Sequence, residues 1–145
     1  MHELALVTRA IYRKQVLELT YVSLSRGKTD RQIVPHALVD NGQRWHVRAF
    51  DRANARFSDF VITRMSKAVA LDGGEIAPHE RAHADEQWNR TVELKLIAHP
   101  KLEHKGALEA DYGMRSGALL IRCRAAVAGY ALRRVGGRFA REITG

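Results

Sequence analysis

With 145 residues, 16.3 kDa, 46% hydrophobic and 28% charged side chains, the chain can bury a core in one ordinary domain or two small ones. That excludes a disordered polymer. Twenty-four lysines and arginines against 16 acidic residues give a formal charge of +8, a balance that favours polyanionic partners. No apolar run nears the ~20 residues of a membrane span, no basic and apolar leader opens the chain, and Cys123 has no cysteine partner. A cytoplasmic protein is expected, without membrane contact, cofactor or disulfide framework.

Leu4, Val7, Ile11 and Tyr12 recur at helical spacing, which predicts a short amphipathic helix over 2–14. From Val16 the period becomes two, and residues 16–24 read as a strand. A polar turn around Gly27 leads to a second strand from Arg31 to Asp40. Asn41-Gly42 suits a type I′ turn, whose two central residues need positive φ, and ties that strand to residues 43–51 as a hairpin. A two-residue loop sets Asp40 opposite Gln43, Leu38 opposite Trp45 and His36 opposite Val47.

One face of that hairpin then carries Val34, His36, Leu38, Trp45 and Val47 toward the core. The other carries Arg31, Arg44, His46 and Arg48 beside Ile33 and Phe50, and a β-bulge would rearrange both. Strands over 56–62 and 64–71 follow. Five short strands after one helix, all tightly connected, predict a small, strongly bent antiparallel barrel.

Residues 1–72 hold twelve basic and seven acidic side chains, a net +5, and residues 91–145 hold ten and five, again +5. Between them, residues 73–90 hold two basic and four acidic side chains, a net −2. The sign change beside Gly73-Gly74 and Pro78 marks a connector between two units. The second unit reads as a strand over 91–98, a helix from Pro100 to Tyr112 stopped by Gly113, a strand over 118–124 and a helix over 125–134. This β-α-β-α order is a small α+β module, 91–135. Residues 136–145 show no clear period and are expected as a frayed tail.

His79-Glu80-Arg81-Ala82-His83 matches the H-E-x-x-H pattern of zinc peptidases, and Glu103 lies where some of them supply a third ligand. Such a site needs a long buried helix to aim both imidazoles and exclude water. Ala-Pro before the motif and Ala-Asp-Glu-Gln after it describe a solvated connector instead, so no metal is expected. The sequence holds no phosphate-binding glycine loop, serine elbow or paired cysteine motif. Cys123 sits in a core-like strand pattern as a small hydrophobe.

Four blocks carry a family resemblance: Tyr21-Val22-Ser23; Arg31 through Val39 with Pro35-His36-Ala37-Leu38-Val39; Arg44-Trp45-His46-Val47-Arg48; and Phe57-Ser58-Asp59-Phe60 through Arg64. Over residues 3–71 they resemble the WYL domain of bacterial transcriptional regulators, most closely its phage-defence-associated branch. Trp45-His46-Val47 stands where the family has its Trp-Tyr-Leu tripeptide. The second unit is similar to the C-terminal extension that accompanies many WYL domains.

The resemblance implies an α+β protein: an Sm/SH3-like five-stranded barrel with a leading helix, then a small α+β module. It implies a non-enzymatic sensor of nucleotides or single-stranded nucleic acid that signals to a winged helix-turn-helix and dimerises through the extension. That DNA-binding domain is expected to be absent, leaving a fragment or a standalone sensor, and Val135-Gly136-Gly137 departs from the family's usual ending. Carried over by position, the ligand-binding candidates are Tyr21, Ser23, Arg31, His36, His46, Arg48 and Arg64. Arginine suits the role because its planar fork grips phosphate bidentately and stacks on bases.

Structural roles stand beside these. His36 and Tyr21 also fit a hydrogen-bonded core, Arg48 and Arg64 also fit ion pairs with Asp51 or Asp59, and Ser23, Arg31 and His46 fit ordinary strand positions. The alternative functions are a dimerisation module with no ligand of its own and, against the mechanics above, a zinc hydrolase through His79-Glu80-x-x-His83.

Overall fold

A computed structural model describes residues 2–144. Its residues divide into two compact units, Met1–Asp85 and Glu86–Gly145. In the first, helix α1 (His2–Arg13) buries Val7 and Ala10 completely, with Leu4 and Ile11 beside them. Tyr12, expected on that stripe, is 88% exposed, because five positions beyond Val7 the helix has turned it to the far side. The helix stops at Lys14, whose φ of 55° is the left-handed conformation usual at this position, and Gln15 N–H donates to the Ala10 carbonyl at 2.9 Å.

Strands β1 (Val16–Ser23), β2 (Gly27–Asp40), β3 (Trp45–Asp51), β4 (Arg56–Val61) and β5 (Met65–Leu71) form one antiparallel sheet in the order β4-β3-β2-β1-β5. The expected closed Sm/SH3-like barrel is not formed among the described residues. β4 gives way after Val61 to a 3₁₀ turn, Ile62–Arg64, in which Met65 N–H bonds locally to the Ile62 carbonyl. β4 and β5 therefore remain as the two edges of an open five-stranded sheet.

The hairpin register also differs from expectation. Asp40 pairs with Trp45 and Leu38 with Val47, so the loop spans 41–44. Side chains take over the turn: Asn41 Oδ1 accepts from the N–H groups of Gln43 and Arg44, both at 2.9 Å, and Asp40 Oδ1 from that of Gly42 at 2.8 Å. Trp45 falls at the strand's end and is 37% exposed rather than in the core. Between Pro35 and Ala37 the β2–β3 register shifts by a bulge. Because side chains alternate, this one irregularity moves Arg31 and Ile33 to the α1 face of the sheet and Val34 to the opposite face.

The core on the α1 face comprises Leu17, Leu19, Tyr21, Ile33, Val47, Ala49 and Phe60 with the helix. On the opposite face Val16, Val34 and Phe50 form a smaller cluster with Phe57, Leu71 and Ile76. The stretch 73–90, expected as a connector, divides between the units. Through Asp85 it belongs to the first, with 3₁₀ turns at Pro78–Glu80 and Ala82–Ala84 and both Glu80 and Asp85 buried. Glu80 pairs with Arg52 and Asp85 with Arg48, contacts that a solvated linker would not need.

The second unit holds α2 (Glu86–Asn89), β6 (Thr91–Ala98), α3 (Lys105–Asp111), β7 (Ala118–Arg124), α4 (Ala128–Val135) and β8 (Phe139–Thr144), with an antiparallel sheet ordered β7-β6-β8. The helix expected from Pro100 begins only at Lys105, because residues 99–102 close a turn of their own: Leu102 N–H donates to the His99 carbonyl and Lys101 N–H to His99 Nδ1. Gly113, with φ of 60°, ends α3 as expected, with Met114 N–H on the Glu109 carbonyl. The supposed tail is a strand, since β6 offers a free edge and Phe139 buries against Tyr112, ring centroids 5.1 Å apart. Cys123 is half-buried in an apolar cluster, and burial pushes its thiol up. No helix among the described residues is long and apolar enough to cross a membrane.

Candidate functional site

Alternation along β3 sends His46, Arg48 and Phe50 to the sheet face opposite α1, as expected, and their partners on β4 (Val61, Asp59 and Phe57) lie on the same face. The bulge adds His36. Residues 75–85 cover this surface, and Arg48 is its centre. Nε and Nη2 of Arg48 donate to the two carboxylate oxygens of Asp85 at 2.7 and 2.9 Å, and Nη1 donates to Asp59 at 3.3 Å. His36 Nε2 lies 2.9 Å from the same Asp85 carboxylate, which is 1% exposed. The Asp85 hydrogen bond, partly offset by burial, holds the guanidinium charged even more firmly than an ordinary arginine.

A second clamp lies nearby. Arg52 donates through Nε and Nη2 to Glu80 at 2.7 and 3.0 Å, and through Nη2 to the Glu75 carbonyl at 2.8 Å. The hydrogen bond from Arg52 lowers the Glu80 carboxyl below its usual range, with Ala77 N–H assisting and burial opposing. A lowered folded-state pKa contributes stability that is complete above the unfolded value and lost as pH falls through the folded one. Arg52→Ala is therefore expected to cost the first unit more stability at pH 7 than in acid, where Glu80 is protonated and the Arg52 bonds to the Glu75 carbonyl and Gln32 remain. Urea titrations at pH 7 and in acid check this, and an equal loss at both would refute it.

The expected ligand residues do not all meet. His36, His46 and Arg48 share the covered face, His36 having been expected on the other one. Arg31 departs to the α1 face, where it is buried and donates to Asp51 and, at 3.0 Å, to Thr29 Oγ1. Tyr21 is buried on that face too, its hydroxyl accepting from Val61 N–H at 3.0 Å and its ring edge-on to Phe60. Ser23 Oγ accepts from Arg26 N–H at 2.9 Å in the β1–β2 turn. Arg64 is half-buried in the 3₁₀ turn just past the Tyr21–Met65 pair, with no ion-pair partner among the described residues.

Sequence reasoning reached the Asp59 contact of Arg48 but missed Arg52, Glu80 and Asp85. The available signal was charge: a −2 stretch directly follows a +5 unit. The H-E-x-x-H match resolves the same way. Its residues lie across two short 3₁₀ turns, Glu80 is held by Arg52, and His79 packs edge-on to Phe50 at 5.4 Å. Among the described residues no group of three or more His, Cys, Asp or Glu side chains is placed to hold a metal ion.

A five-stranded sheet with basic side chains on one face is followed by a separate small α+β unit. Residues 2–70 match the WYL domain, and residues 91–138 match the BrxR transcriptional regulator, C-terminal dimerization domain. The chain thus joins a WYL domain to a region that matches a C-terminal dimerization domain. It is 34% identical over 129 residues to the DNA-binding transcriptional repressor CapW of Escherichia coli (strain KTE188) and 36% identical over 131 residues to that of Pseudomonas aeruginosa. Each comparison covers 87% of this chain, and the chain spans 42% of each relative's length. Among solved structures, proteasome accessory factor B/C of Arthrobacter aurescens shares the fold, with a TM-score of 0.50 and 22% identity over 97% of this chain and 24% of that one.

Proposed function

We propose that the chain is the effector-sensing and dimerising part of a cytoplasmic, non-enzymatic transcriptional regulator, and that its effector is a nucleotide or single-stranded nucleic acid. The observation carrying this reading is the bidentate grip of Arg48 on a carboxylate beside His36, the geometry an arginine uses for phosphate. Arg64 adds a guanidinium without a carboxylate partner among the described residues. DNA contact, named for the CapW relatives, is assigned to a winged-helix domain in the part of such regulators that the match does not cover. Homodimerisation is assigned to the second unit, where Ile97 and Leu120 are exposed on the sheet's outer face.

Fluorescence anisotropy with a labelled oligothymidylate and with ATP, each at two salt concentrations, tests the sensing. Binding should weaken with salt, log K falling by about 0.7 per phosphate contact on the single strand. Arg64→Ala should cost about 1–3 kcal/mol of affinity. No binding at low salt would leave the alternative, a pure dimerisation module, which light scattering then identifies as a dimer that takes no ligand.

A further inference from the structure

Residues 75–85 carry Glu75, Glu80 and Asp85 against one arginine, Arg81, and lie over the face that holds His36, His46 and Arg48. Side-chain contacts fasten them to the first unit. The turns themselves close on local backbone hydrogen bonds: Glu80 to Ala77, Arg81 to Pro78, Ala84 to Arg81 and Asp85 to Ala82. Attachment includes the Arg52–Glu80 and Arg48–Asp85 clamps, the His36 contact to Asp85, the Arg52 bond to the Glu75 carbonyl, Ile76 in the small cluster and His79 on Phe50. Nor is the space beneath them filled. A cavity of about 360 Å³ separates them from Val34, Pro35 and the end of α1 at Ile11 and Lys14. Segments outside the core strands open at lower free-energy cost than the strands themselves.

We propose that residues 75–85 are an acidic strap occupying the anion site as an internal competitor, its Asp85 carboxylate standing where a phosphate-type oxyanion of the effector binds. The proposal rests on the effector site proposed above and describes how it is regulated. Arg48 and His36 make the same kind of contact to a carboxylate as to a phosphoryl oxygen, so effector and Asp85 exclude each other. Asp85 is also the last residue of the first unit, and Glu86 opens the unit matched by the dimerization domain. Losing the Asp85 contact therefore loosens the end of the strap that leads into the second unit. Effector capture thus becomes a change in the tether to the dimerising unit, with no new contact required.

Two measurements on the full chain test this. Trypsin cleavage after the exposed Arg81 reports strap release in the unaltered protein. Inorganic pyrophosphate should accelerate it at least several-fold, and sodium chloride of matched ionic strength should not. In the second, Asp85→Asn keeps the side chain's size and removes the competing charge. It should bind pyrophosphate and oligothymidylate about tenfold more tightly, because the binding-competent state is no longer the minor one. Equal affinity in the variant and the unaltered protein, or cleavage indifferent to pyrophosphate while oligothymidylate binds, overturns the strap and leaves the effector site standing. Binding by neither protein overturns both. Should Asp85→Asn not fold, the cleavage comparison decides alone.

Discussion

Arg31→Ala is expected to destabilise the first unit by about 3–5 kcal/mol, the cost of leaving a buried charge without its partner. Asp51 is 1% exposed and accepts from Arg31, from Ala53 N–H at 3.0 Å and from Asn54 Nδ2 at 2.8 Å. Without the guanidinium, only those two neutral donors face the carboxylate. Both partners lie on strands of the α1 face, Arg31 within β2 and Asp51 at the end of β3. Urea unfolding followed by Trp45 fluorescence measures the loss, and a value below ~1 kcal/mol would refute the assignment. Replacing both partners, Arg31→Met with Asp51→Leu, should recover most of it, since a buried ion pair contributes little beyond what apolar packing supplies. Arg31 thus acts on stability, a different role from the ligand contact its motif position implied.

The second large effect is expected at Leu94→Ala, about 2–5 kcal/mol. Leu94 is fully buried on β6, the central strand of the three-stranded sheet, among Val92, Ala128 and Ile121. A cavity at that point has partners on two strands and a helix and cannot collapse cheaply. Trp88 reports this unit, because the Arg124 guanidinium sits 4.4 Å from its ring centre. In single-tryptophan variants at fixed protein concentration, the Trp88 transition should shift and the Trp45 transition should stay. A common shift of both would show that the two units unfold as one.

Local pattern reaches far along this chain. The strands appear where period-two alternation and β-branched residues place them, because alternation records which side of a strand is buried. Gly113 stops its helix because only the left-handed conformation closes that turn without strain. The WYL domain was legible as well, since four short blocks sit at spacings that the strands preserve. Less legible were the ends and the joints. Asn41-Gly42 reads as a two-residue turn, but the side chains of Asp40 and Asn41 take backbone donors inside a four-residue loop. β8 carries too weak a pattern to be found without the free edge of β6.

The candidate site shows the division most plainly. Sequence by itself determined the inventory: basic strands, an acidic stretch after them, and His46 and Arg48 on one face by simple alternation. It could not determine which cations stay available, because that depends on pairings across long chain distances. Asp85 reaches Arg48 and His36, and Glu80 reaches Arg52, from a stretch that composition alone describes as solvated. One bulged residue at Pro35–Ala37 decided the rest, exchanging Arg31 for His36 on the covered face. Side-chain alternation is a local property that sequence records. A register shift and the burial of a charge are settled only when separate segments meet, because only then is each charge's desolvation weighed against the partner it finds.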